Sequence, residues 1–135
     1  MSWDVYLTRT KNNIEAYNKI ADEDIIPFTR KEIVDEIVLL ARELELETAD
    51  LNDKFPHLRG DGWSIEFSFW DEEPYETVDL QVRGIKNPTE VFARLKKDLR
   101  TRIFDMHGGK FIEDESESGF EAWKNFTDKV IKSFE

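Results

Sequence analysis

The chain has 135 residues, 39% hydrophobic and 13% aromatic, with 30 acidic against 19 basic side chains and a net charge of −11. That is apolar enough for one buried core and too short for several, which excludes wholesale disorder and predicts a single domain over residues 1–135. The lack of cysteine excludes disulfides, thiolate metal sites and a cysteine nucleophile, and the negative field disfavours nucleic acid and anionic membranes as partners.

The start, Met1-Ser2-Trp3-Asp4-Val5-Tyr6, has no basic segment leading into an apolar run, so no secretory signal is expected. No stretch approaches the ~20 apolar residues of a membrane span. The expectation is a cytoplasmic protein. Residues 3–8 alternate with the period of a half-buried strand, Trp3, Val5 and Leu7 on one side, Asp4, Tyr6 and Thr8 on the other. Residues 10–28 are ambiguous. Ile14, Tyr17 and Ile20 would line a short helix, but Asp22, Glu23, Asp24 and Pro27 punctuate it, leaving a connection with one or two helical turns.

Thr29 followed by Glu32 is a capping-box pattern, and Ile33, Ile37, Leu40, Ala41 and Leu44 recur behind it at helical spacing, predicting a helix that ends near Glu45. Residues 47–62, with Asn52, Asp53, Pro56 and Gly60-Asp61-Gly62, read as a long loop. Next comes the clearest pattern in the chain. Trp63, Ile65, Phe67 and Phe69 alternate with Ser64, Glu66 and Ser68, and Val78, Leu80 and Val82 alternate with Asp79, Gln81 and Arg83. Asp71, Glu72, Glu73 and Pro74 between them suit a turn, so the two runs predict a hairpin with one apolar and one polar face.

Asn87-Pro88-Thr89-Glu90 predicts a second helix, capped by Asn87 with Pro88 at its first position, and Val91, Phe92, Leu95 and Leu99 as its buried stripe. Residues 103–106 read as a strand, turned by His107-Gly108-Gly109 into a short strand over 110–112. An acidic loop covers 113–117. Ser118-Gly119-Phe120-Glu121 is a third capping-box pattern, opening a helix with Phe120, Trp123, Phe126, Val130 and Phe134 on one side.

Together these predict an α+β domain: an antiparallel sheet of four or five strands with helices on one face, ferredoxin-like β-α-β-β-α-β plus a C-terminal helix. The open face would gather Asp4, Tyr6, Glu66, Ser68, Asp79 and Gln81, with Asp105 of the fourth strand as a further candidate. Several carboxylates on one surface suit a divalent cation or an acid/base pair, but a one-sided sheet ordinarily carries charge on its wet face. No catalytic, cofactor or metal residues are therefore assigned. His57 and His107 fall in predicted loops without a third metal ligand at telling spacing. Phosphate loops and serine nucleophile elbows are absent. Residues 83–110 hold eight bases against three acids, and the helix with Lys96, Lys97 and Arg100 is the segment a nucleic acid would meet, though a solvated helix face accounts for it better.

Five short stretches recur in order: Met1-Ser2-Trp3-Asp4-Val5-Tyr6-Leu7, Gly62-Trp63-Ser64-Ile65-Glu66-Phe67, Val82-Arg83-Gly84, Ile103-Phe104-Asp105 with Gly109-Lys110-Phe111, and Gly119-Phe120-Glu121-Ala122-Trp123-Lys124. The set resembles a family of small stand-alone bacterial proteins of unknown function. The resemblance implies a one-domain cytoplasmic protein and assigns no catalytic residue. In size and charge, though not in motif, the chain is also similar to immunity proteins, which offer carboxylates to basic toxins.

The function these readings favour is a non-enzymatic protein-binding module, most concretely an acidic immunity or inhibitor protein. Its expected partner is a basic, toxin-like protein, met by Asp4, Tyr6, Glu66, Asp71, Glu72, Glu73 and Asp79. The alternative is a small enzyme or ligand-binding domain with a carboxylate-lined site.

Overall fold

The computed structural model describes residues 2–11, 19–69, 72–115 and 119–133, the last three by their backbone alone. Alternation produces the strands that it predicts. β1 (Trp3–Thr8), β4 (Trp63–Ser68) and β5 (Thr77–Gly84) pair antiparallel, and β6 (Arg102–Asp105) joins β1 on its other side. A helix, α1 (Arg30–Glu43), follows the capping box, whose two hydrogen bonds both form: Glu32 N–H donates to Thr29 Oγ1 at 3.2 Å, and Thr29 N–H donates to Glu32 Oε2 at 3.0 Å.

The sheet is wider than the expected ferredoxin-like core of four or five strands. It has seven antiparallel strands in the order β2-β3-β4-β5-β1-β6-β7. Residues expected to form a loop supply β2 (Glu47–Ala49) and β3 (His57–Gly60), which extend one edge, while β7 (Lys110–Phe111) extends the other. These strands are two to four residues long. Their own pattern is too brief to show a period, and they are held by pairing onto the longer strands beside them.

A second helix, α2 (Thr89–Asp98), starts one residue later than predicted. Pro88 takes the cap position with no side-chain hydrogen bond, because the Asn87 amide donates instead to the Glu115 carbonyl at 3.2 Å. The last helix, α3 (Phe120–Ser133), lies where expected, although the Ser118 of its predicted capping box falls outside the described residues. In the 10–28 connection a 3₁₀ turn forms at Asp22–Asp24, and Ile14 and Tyr17 fall outside the described residues.

All three helices cover the same side of the sheet. The core joins Ile33, Ile37 and Leu40 of α1, Val91, Phe92 and Leu95 of α2, and Phe120 and Trp123 of α3 to Trp3, Val5, Leu7, Ile65, Phe67, Leu80 and Val82. Trp3 is fully buried beneath two helices, its ring 5.5 Å from Phe92 and 5.6 Å from Phe120. Of the expected α3 stripe, Phe120 and Trp123 are buried and Val130 half-buried, while Phe134 falls outside the described residues. Phe126, expected in the core, is 46% exposed and rests 5.6 Å from the His107 ring.

Candidate functional site

On the face opposite the helices, strand register sorts side chains into rows. One row runs Ala49, His57, Glu66, Gln81, Asp4 across β2, β3, β4, β5 and β1. The next runs Ser68, Asp79, Tyr6, Phe104, Phe111 across β4, β5, β1, β6 and β7. Opposed residues sit about 4.5–5.5 Å apart at Cβ, and residues two apart on one strand share a face. Asp4, Glu66 and Asp79 therefore surround Gln81. The alternation of three strands brings together the acids that the sequence reading placed on this face.

Asp4 is exposed, and Tyr6, Glu66 and Asp79 are half-buried between their strand neighbours. Burial pushes the Asp79 carboxyl above its ordinary range, and the like charge of Asp4 pushes it the same way. Asp4 accepts a hydrogen bond from Ser2 Oγ at 2.6 Å. Neither Asp4 nor Asp79 has a basic partner among the described residues. Glu66 differs. Its Oε1 lies 3.2 Å from His57 Nε2, and the other ring nitrogen of His57 faces Asp50 Oδ2 at 3.6 Å. His57, in a segment whose sequence predicts a loop, thus stands between two carboxylates on β3. The one signal for it was that Leu58 alternates with His57 and Arg59.

The acidic patch is bounded. Arg59 and Arg83 both oppose Ser64 one row away, and Arg83 donates to Gln81 Oε1 at 3.1 Å. At the other end Arg102 opposes Thr8, stacks 3.6 Å over the Phe111 ring and pairs with Glu113 at 2.8 Å. Glu72 and Glu73 are exposed in the connection between β4 and β5, at the Asp79 end of the hairpin. Asp71 and Trp70 lie outside the described residues.

Asp105 does not join this face. It opposes Val5, whose side chain enters the core, and is 1% exposed on the helix side. The Trp3 indole N–H donates to its Oδ1 at 2.9 Å, and the His107 backbone N–H donates to the same oxygen at 3.0 Å. Position parity decides this: Phe104 opposes Tyr6 on the polar face, so its neighbour must point the other way.

The basic segment is engaged in part within the chain, with Lys97 and Arg100 exposed. Arg94 pairs with Glu43 and Asp98, and Lys96 pairs with Glu115 at 2.9 Å and donates to the Ile112 and Glu113 carbonyls. Among the described residues no group of three or more His, Asp or Glu is placed to hold a metal ion, and no helix is long and apolar enough to cross a membrane. Comparison with protein-family models, curated proteins and solved structures gives no match. The motif resemblance therefore assigns no family, and function must be argued from the sheet face.

Proposed function

We propose that the protein is a non-enzymatic binding module whose acidic sheet face receives a basic protein, with inhibition of that partner as the most concrete role. The observation that supports this reading is the Asp4–Asp79 pair. Two carboxylates of like charge are held diagonally across neighbouring strands, one of them half-buried, with no base among the described residues set against them. Such an arrangement works against folding and is relieved when a cation arrives, so a Lys or Arg side chain of a partner gains more here than on an ordinary solvated strand. Exposed Glu72 and Glu73 extend the same sign and would hasten encounter.

The test is cross-linking in the native cell with the parent protein and with Asp4→Asn, Glu66→Gln and Asp79→Asn combined. A basic protein should be captured by the parent, lost with the triple variant, and lost as salt rises from about 50 to 500 mM in the purified complex. The same captured partners with both proteins would sink the proposal.

A further inference from the structure

The carboxylate of Asp105 is almost wholly buried, yet only half of it is satisfied. Both N–H donors that reach it, from the Trp3 indole and the His107 backbone, converge on Oδ1. Buried Oδ2 receives no hydrogen bond among the described residues. It is also kept clear of side chains. A Cβ at Gly119 would lie 1.9 Å from Oδ2, and one at Gly108 would lie 2.8 Å from it. Leaving a buried anionic oxygen without a donor is unfavourable, so a native protein that does so has a reason.

Asp105 and Gly119 border a cavity of about 180 Å³. A water occupies about 30 Å³ of liquid, so the space admits roughly half a dozen heavy atoms. Ile112 supplies an apolar wall on the helix side, whereas the Phe111 ring turns to the other face against Phe104, and Glu113 and Asp114 add negative charge. Lys110 also lines the cavity, but no ion pair joins it to Asp105 among the described residues. The donor set selects the ligand. Further acids repel an anion, and among the described residues no three-ligand cluster is placed to hold a metal ion. An N–H cation with a small apolar body suits Asp105, Glu113, Asp114 and Ile112.

We propose that this cavity binds a small organic cation, an ammonium or guanidinium group donating to Asp105 Oδ2 while its carbon portion rests on Ile112. The site lies on the helix side of the sheet and is independent of the acidic face.

The probes are methylguanidinium and ethylammonium, titrated into the full chain and followed by NMR. Saturable shifts are expected at the Trp3 indole N–H and the His107 amide, with sodium chloride at equal ionic strength as the control. Asp105→Asn keeps an oxygen to accept from Trp3 and His107 but turns an NH₂ toward the cavity. It should weaken binding by about tenfold or more while the Trp3 indole signal keeps its folded position. A measurement free of any variant is the ligand's own contacts: its methyl protons should show NOEs to Ile112. Absence of saturation by about 50 mM, NOEs elsewhere, or equal binding by a folded Asp105→Asn protein would each overturn the proposal.

Discussion

Glu36 sits on the inner side of α1 at 6% exposure, an unusual place for a carboxyl. Burial, followed by the hydrogen bond and like charge of Asp98, raises it to about 8. Protonated, it donates to Asp98, whose own carboxyl that bond lowers. A group whose pKa is higher folded than unfolded binds more protons in the native state, so its stabilising effect is full below about pH 4.5 and is lost as pH climbs toward 8. Glu36→Gln keeps a donor for Asp98 without a charge to bury. Urea titrations at a series of pH values should show the parent declining across that window more steeply than the variant, with the variant ahead by about 2 kcal/mol at the alkaline end. Arg9 is the opposite case, a base used at nearly every donor. It reaches Glu32 Oε1 at 2.7 Å and the carbonyls of Leu99 and Pro27 at 3.0 and 2.6 Å, with its guanidinium 4.3 Å from the Phe28 ring. Burial alone would raise Glu32, but the bonds from Arg9 and Thr29 outweigh it and hold that carboxyl low. Arg9→Lys retains charge and loses the fork, so denaturation should show a loss of about 2 kcal/mol.

At the scale of elements, the long alternating runs and the capping box were legible because their signal is local: a period of two, or a Thr and Glu three apart. β2 and β3 were not, because strands of three and four residues exist only through their neighbours. Helix α2 shows the same limit from the other side, since its expected Asn87 cap is drawn away to Glu115, a residue distant in sequence. The junction between β5 and the turn before β4 is equally a matter of approach between segments. Gly84, at φ +125, passes so close that a Cβ there would lie 2.3 Å from the Gly62 carbonyl oxygen. Gly84→Ala should therefore lower stability by about 2–3 kcal/mol in thermal or chemical denaturation, well beyond an exposed strand substitution.

For the whole molecule, one sheet face does the folding and the other is left to carry charge. The helix side holds Trp3, Phe67, Phe92 and Phe120, each essentially buried, and the core there does not depend on the acids opposite. Asp79 even works against the fold at neutral pH, because its raised carboxyl makes the native state the better proton binder. Asp79→Asn should raise the melting temperature near pH 7, and the gain should vanish as pH falls below the unfolded value of 3.8. The same substitution should weaken capture of a basic partner. A protein that binds more weakly while melting higher is the pattern expected where charge serves recognition at the expense of stability.

Taken by itself, the sequence determined which residues face the core along each long strand, because alternate side chains of a strand cannot share a face, and it determined where α1 begins, because the cap is contiguous. Only the tertiary structure decided the width of the sheet, the partner of His57 and the side on which Asp105 lies. Each of these depends on register between segments far apart in the chain, and moving a register by one residue exchanges the two faces while leaving every local pattern unchanged.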